Sequence, residues 1–326
     1  MQDDPSYLPP RVALTHGDFN GIGYEIMLKT FADFRMLEML TPVLYGQSKA
    51  FAYYKKNFGL ESPNYVLTRE ADRSTKGKFN IINIVEDELK IEPGAATQLS
   101  TEMSVVSMKK AFEDVQKGVV DALVMAPESR EVGRINNEFL LSHYKDVDPL
   151  RLMVNDVMRI AIATDDMPLG DAIAKIDIRF VLSKIMTLDN ALKNDFGVSS
   201  PKIAVMSVNP HASAEGVDER VMKAVMDAQR KGMLAFGPFS ASQLFVNGQW
   251  QKYDAVLAMY YDQGVFPLKL MTGGGCACYW AGLPVVCASP LHGAAFDIAN
   301  LNRADPDAYH KALYLACDIV SRRMEQ

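Results

Sequence analysis

The chain has 326 residues, of which 48% are hydrophobic and 23% charged, and its net charge is −6. Such a balance belongs to a globular protein with a sizeable core, in two domains or lobes, and excludes a disordered chain. The acidic sign and the lack of any basic run exclude nucleic acid and anionic membranes as expected partners.

No apolar run reaches membrane-spanning length. The start, MQDDPSYLPP, is acidic and lacks the apolar core of a secretory leader. All four cysteines fall from Cys276 onward, too clustered for a disulfide framework. A cytoplasmic protein with reduced thiols is the expectation.

Strand-like and helix-like segments alternate along the chain. Arg11 to Thr15 reads as a strand, followed by a glycine-bearing turn and a helix around Tyr24 to Phe31. Pro42 to Tyr45 and Asn80 to Val85 read as further strands, and Thr68 to Lys78 as a surface loop. Val105, Met108, Phe112 and Val115 recur at helical spacing between Glu102 and Lys117, before a strand at Val120 to Met125. Glu128 to Gly133 reads as a crossing between lobes. A second series holds strands at Arg159 to Ala163 and Lys202 to Met206, then a helix from Asp218 to Gly232. Asp254 to Met259 is aliphatic after its first residue, as suits a strand buried on both faces. The last helix starts at Asp305 as N-cap with Pro306 in its first turn. This alternation predicts an α/β fold with mainly parallel sheets covered by helices.

Chemistry-bearing residues gather just after the strands, where α/β sheets bind ligands. Gly17-Asp18-Phe19-Asn20-Gly21-Ile22-Gly23 has neither Rossmann nor P-loop spacing, so alone it is a tight turn. Asn209-Pro210-His211 follows a strand, where a neutral imidazole can take a metal or a proton. Asp165-Asp166 follows another and can offer hard oxygen ligands, or can be a polar loop. Cys276, Cys278 and Cys287 lack paired zinc spacing and read as small buried residues, with a thiol-bearing metal site of His211 with Cys278 or Cys287 as the minor alternative. Tyr260-Tyr261-Asp262-Gln263-Gly264 interrupts an apolar run that closes on Lys269, and His292 to Asn300 is a Gly/Ala loop open to close ligand approach.

In this order the motifs resemble the 4-hydroxythreonine-4-phosphate dehydrogenase (PdxA) family, from about Arg11 to Ala316. Gly17-Asp18-x-x-Gly21-Ile22-Gly23-x-Glu25 resembles that family's GDxAGIGPE, and Ala126-Pro127 its APINK, with Arg130 at the lysine. Asn209-Pro210-His211 resembles NPHAGE, and Met259 to Gly264 resembles MYHDQG. Gly282-Leu283-Pro284 and the loop His292 to Ala299 resemble GLPxxRTSxxHGTAFDIAG.

The resemblance implies a two-lobed subunit like isocitrate and isopropylmalate dehydrogenases. One lobe would be 1–130 plus 303–326, the other 131–302 with the metal and dimer contacts, and the active-site cleft would lie between them. It implies NAD-dependent oxidation of a secondary alcohol, loss of carbon dioxide from the resulting β-keto acid, and a place in pyridoxal phosphate biosynthesis. It also implies a homodimer with a shared site and a divalent metal (magnesium, manganese or zinc) that polarises the alcohol oxygen. His292, Gly293, Ala294, Asp297 and Asn300 would hold NAD.

Of the family's three metal histidines only His211 is kept; Asp166 and Tyr261 stand at the other two positions. Tyr261, Asp262 and Lys269 are the implied catalytic positions. Asn136, Asn137, Arg130, Lys269, Cys278 and Cys287 are the implied substrate positions. Asparagines replace a histidine and a threonine there, and Cys287 replaces an arginine that would grip a phosphate. The resemblance therefore admits two readings, a dehydrogenase with altered metal or substrate, and an impaired relative that binds a nucleotide or metabolite without turnover.

Overall fold

The structure, a computed structural model, describes residues 9–60, 63–86, 89–273 and 275–326; the segment 1–8, and with it the reading of the chain's start, lies outside them. The chain divides into two compact units. One comprises the described residues up to Tyr144 together with Val285–Ser321, the other Lys145–Pro284 with Arg322–Gln326.

The first unit begins β1 (Arg11–Thr15), α1 (Gly23–Thr30), α2 (Arg35–Met39), β2 (Thr41–Gly46), α3 (Ser48–Phe58), β3 (Tyr65–Leu67), β4 (Phe79–Asn83), α4 (Gln98–Gln116), β5 (Ala122–Val124) and α5 (Arg130–Ser142). β1 pairs in parallel with β2 and β5, and β4 in parallel with β2 and β3. All six residues of β2 and four of five in β1 are buried, which is why these strands read as unbroken aliphatic runs. α4 starts earlier than the apolar spacing predicts, because Thr97 and Ser100 form a reciprocal cap (Ser100 N to Thr97 Oγ1 and Thr97 N to Ser100 Oγ, both 3.1 Å).

The second unit contains β6 (Leu150–Val154), β7 (Arg159–Ile162), α6 (Leu169–Lys175), α7 (Ile178–Asn194), β8 (Lys202–Met206), α8 (Gly216–Arg230), β9 (Leu234–Phe239), α9 (Ala241–Phe245), β10 (Ala255–Ala258), α10 (Tyr261–Thr272) and β11 (Ala277–Ala281). Its strands lie in the order β11-β6-β7-β10-β8-β9. β7, β10, β8 and β9 are parallel, whereas β6 runs antiparallel to both β7 and β11. The reversal between β6 and β7 is a short turn in which Asn155 Oδ1 accepts from the backbone N–H groups of Val157 and Met158, each at 2.8 Å. As a result, the start of β6 lies at the same sheet edge as the ends of β7, β10 and β8.

The chain then returns to the first unit through β12 (Val286–Pro290) and α11 (Asp307–Met324). The expected lobe boundaries at 130/131 and 302/303 differ from the observed ones. Glu128 to Gly133 is no crossing: Ser129 caps α5 by accepting from Val132 N at 3.3 Å, and Phe139 on α5 packs edge-on to Phe112 of α4 at 5.5 Å. The return comes early because β12 pairs in parallel with β5, which brings the loop 292–300 into the first unit.

Gly264 explains the glycine of the Tyr-Asp-Gln-Gly motif. A Cβ there would lie 2.5 Å from Ile162 Cδ1, 2.7 Å from Ile160 Cγ2 and 3.0 Å from Ala258 Cβ, so α10 rests directly on β7 and β10. Gln263, 8% exposed, fixes the helix start: its Oε1 accepts from Met259 N at 2.7 Å and its Nε2 donates to Ser207 O at 2.6 Å. Gly264→Ala is expected to lower the unfolding free energy by about 1–3 kcal/mol through overpacking, read by chemical denaturation. Gln263→Leu leaves two backbone groups without their partner and should cost a similar amount, about 1–3 kcal/mol.

Candidate functional site

In the second unit the polar groups collect at the edge where β7, β10 and β8 end. Thr164 Oγ1 donates to Met259 O at 2.8 Å and Ala163 N to Ala258 O at 2.8 Å, so the segments leaving β7 and β10 are tied together. Asp165 follows in a left-handed turn (φ 56°), a conformation aspartate tolerates better than most residues. Its carboxylate forms an ion pair with the Nε of Arg151, the second residue of β6. Cys278 lies on the same sheet face as Arg151, since Trp280 and Cys278 oppose Arg151 and Met153 respectively.

Arg151, Asp165, Asp166, Tyr261 and Cys278 act on one another electrostatically. Burial works against the Arg151 charge, and the acidic groups around it, the Asp165 and Asp166 carboxylates among them, hold the guanidinium above its ordinary value. Burial pushes the Asp165 carboxyl up, with Asp166 adding to that and Arg151 opposing it. The two partners of the ion pair therefore shift in the same direction; guanidinium keeps its proton throughout, so the charge that opposes the burial of the Asp165 carboxylate is always present. Burial raises Tyr261 and Asp166 raises it further, against Arg151, so its phenol keeps its proton. Burial pushes the Cys278 thiol up to about 12.

His211 lies in an exposed segment after β8. The buried carboxylate of Asp218 on α8 shapes that segment: Oδ1 accepts from Val208 N at 2.7 Å and Oδ2 from Asn209 Nδ2 at 2.8 Å. Asp262 and Lys269 are exposed on α10.

The expected metal set of Asp166, His211 and Tyr261 does not fit a divalent ion. Binding by tyrosine requires a phenolate, and here burial and two carboxylates favour the phenol. The neighbouring Asp165 is already engaged by a guanidinium. Among the described residues no group of three or more His, Cys, Asp or Glu side chains could hold a metal. Cys278 and Cys287, which the minor alternative would combine with His211, are buried, and burial holds the Cys278 thiol in its protonated form.

In the first unit three segments meet at Glu128. Asp18 N donates to Pro127 O at 3.2 Å, Ala294 N to Glu128 O at 3.0 Å, and Ile22 N to Ala294 O at 3.0 Å. Gly17 is required at this junction, with φ at 64° and a would-be Cβ 2.2 Å from Pro127 O. His16, fully buried and stacked on Tyr24 at 5.9 Å, is pushed down to about 4 by burial and is a neutral core ring.

Asn136 is 1% exposed and donates to Glu128 Oε1 at 2.7 Å, while its own Oδ1 is buried without a hydrogen-bond partner. Asn137 is half-buried on α5 and Arg130 is exposed at its start. Cys287 is fully buried within β12.

The loop 292–300 presents a half-buried His292, an exposed Asp297 and a half-buried Asn300 in left-handed conformation (φ 62°). Asn300 Oδ1 accepts from Asn57 Nδ2 at 3.3 Å. A carboxylate, an amide and an imidazole on a loop with an anchored backbone fit the ribose hydroxyls and base of a dinucleotide.

Arg151 and Glu128 are the site residues that motif reading passes over. Each carried a local signal: an arginine inside the aliphatic run Leu150-Arg-Leu-Met-Val154, and a carboxylate between a strand and a helix cap.

Glu128 makes the first unit's stability pH-dependent. Burial raises its carboxyl from the usual 4.5 to about 7, with Asp18 adding to the shift and the Asn136 hydrogen bond opposing it. Between those values the folded state holds a proton that the unfolded state has released, so stability falls as pH rises through the window. Glu128→Gln should flatten that fall, by at most about 3 kcal/mol across the window, in denaturation measured at a series of pH values.

Comparison with known proteins bears directly on these clusters. Residues 38–316 match the family described as pyridoxal phosphate biosynthetic protein PdxA. A protein of Bacteroides thetaiotaomicron named 4-hydroxythreonine-4-phosphate dehydrogenase is 31% identical, over 97% of this chain and 90% of its own length. The crystal structure of a 4-hydroxythreonine-4-phosphate dehydrogenase from Klebsiella pneumoniae superposes with a TM-score of 0.80 at 25% identity, covering 97% of this chain and 99% of that one. That of a terephthalate 1,2-cis-dihydrodiol dehydrogenase from Burkholderia xenovorans gives 0.61 at 27% identity, covering 95% and 98%. With its motifs in order and most of its length matched, the chain belongs to the PdxA family.

Proposed function

We propose that the protein is a dehydrogenase that uses NAD to oxidise the secondary alcohol of a hydroxy acid related to 4-hydroxythreonine-4-phosphate. The observation that carries this reading is the loop 292–300, kept in sequence and anchored through Ala294 to Glu128 and Ile22 in a chain whose relatives are named dehydrogenases. His292, Gly293, Ala294, Asp297 and Asn300 would hold the adenosine end of NAD, which supplies a hydride acceptor when bound. Asp297 supplies the carboxylate suited to ribose hydroxyls.

The second unit would handle the reacting end. Tyr261, held as a phenol, can donate to or relay a proton from the alcohol oxygen. Where the substrate carries a carboxylate β to the new carbonyl, loss of carbon dioxide follows as the C–C electron pair moves toward that carbonyl. Lys269, exposed on α10, is the cation of this unit suited to an anionic substrate group, and Arg130, exposed at the start of α5, is a candidate of the first unit. Cys278 and Cys287 are buried thiols and offer a phosphate no charge. The substrate is therefore expected to depend less on a phosphate than 4-hydroxythreonine-4-phosphate does. The homodimer and the cytoplasmic location remain part of the proposal on family grounds, and among the described residues no helix is long and apolar enough to cross a membrane.

A second reading, binding without turnover, draws on the joint replacement at Asn136, Asn137, Asp166, Tyr261, Cys278 and Cys287. NADH formation separates the two. Purified protein supplied with NAD should form NADH from at least one 3-hydroxy acid, phosphorylated or not; NAD binding with no turnover across the series would establish the second reading. Asp297→Ala should weaken NAD binding about tenfold, about 1.4 kcal/mol, in calorimetry, with the fold unchanged by circular dichroism.

A further inference from the structure

We infer that Arg151 is the resident cation of the second unit's site, occupying the electrostatic place of a divalent metal, so that this site meets an anionic or polarised substrate oxygen with a guanidinium. The inference deepens the dehydrogenase reading and rests on it for the identity of the oxygen, although not for the charge arrangement.

Three observations on the page converge. Antiparallel β6 delivers its second residue to the edge where β7 and β10 release Asp165, Asp166 and Tyr261. The guanidinium is anchored there by its Nε contact with Asp165, and its charge is coupled to those of Asp166 and Tyr261. It is not sealed in: 19% of the Arg151 side chain and 33% of the Asp165 side chain remain accessible.

Elementary electrostatics then decides which cation the site holds. Two adjacent carboxylates would ordinarily invite a hard divalent ion. A permanently charged group that already engages one of them removes that ligand and repels any ion approaching the other. What a metal would do for an alkoxide or carbonyl oxygen, a guanidinium can do in part. It carries a charge and several N–H donors, and its planar fork also matches a carboxylate. A chain with Asp and Tyr at two family histidine positions can thus keep a cationic centre without keeping a metal.

The test uses Mn2+ alone as probe, titrated into the full chain by calorimetry with electron paramagnetic resonance as a second readout. Wild type is expected to show no stoichiometric site. Arg151→Met leaves Asp165 and Asp166 uncompensated and should acquire EDTA-reversible Mn2+ binding at least about tenfold tighter than wild type, lost again when Asp166→Asn is added. Arg151→Lys, which keeps the charge, should bind no Mn2+.

One Mn2+ per wild-type subunit that disappears in Asp166→Asn overturns the proposal, as does Arg151→Met binding no better than wild type. Should Arg151→Met fail to fold, wild type and its Asp166→Asn variant still decide, since binding in the first that is lost in the second overturns the proposal and no binding in wild type upholds it. In the activity arm, NADH formation should persist at full rate in EDTA; loss of rate there overturns the proposal. A wild type with no turnover sinks the dehydrogenase reading, while the Mn2+ titration still decides whether Arg151 holds the metal's place.

Discussion

The ion pair between Arg151 and Asp165 is the constraint on which the second unit's chemistry depends. A charge taken largely out of water must be paired, and pairing fixes both geometry and what else can enter. With a guanidinium at that position, Asp165 is committed and Asp166 is left as the exposed carboxylate beside it, while burial and the carboxylates keep the phenolic proton on Tyr261 against the guanidinium. A centre built this way is cationic through a side chain rather than through an ion. Its electrostatic character follows from that one substitution of charge carrier.

The scaffold around it is built to hold the edge still. Gln263 bridges the ends of β10 and β8, Thr164 ties the exit of β7 to that of β10, and Asp218 shapes the turn that carries His211. Residues that look like candidates for catalysis in a motif, such as the glutamine and glycine of Tyr-Asp-Gln-Gly, thus serve backbone satisfaction and close packing. In the first unit Glu128 has a comparable double role. Its carbonyl anchors the loop 292–300, while its carboxyl, raised toward neutrality, is steadied by Asn136.

Much of the fold was legible in the chain. The aliphatic runs at Arg11, Pro42, Asn80, Val120, Arg159, Lys202 and Asp254 all mark strands, because a strand buried on both faces tolerates few polar residues. The antiparallel β6–β7 reversal was not, since its turn is built on Asn155 without the usual glycine signal. Helix α5 was hidden as well: its start, Arg130 to Gly133, reads as part of a crossing between lobes until Ser129 is seen to cap it. The motifs singled out the loop 292–300 and the strand-edge residues one by one, yet gave no hint that Arg151 would arrive among the latter from another strand.

What the sequence determined by itself is the α/β class, the family, and which family side chains are missing, because hydrophobic pattern and ordered motifs are properties of the chain alone. The tertiary structure decided which charges share a space. Arg151 precedes Asp165 by 14 residues and Tyr261 by 110, and only the antiparallel direction of β6 puts its second residue at the edge where their strands end. Electrostatic energy depends on distance through space and on burial, and neither quantity is written in sequence spacing.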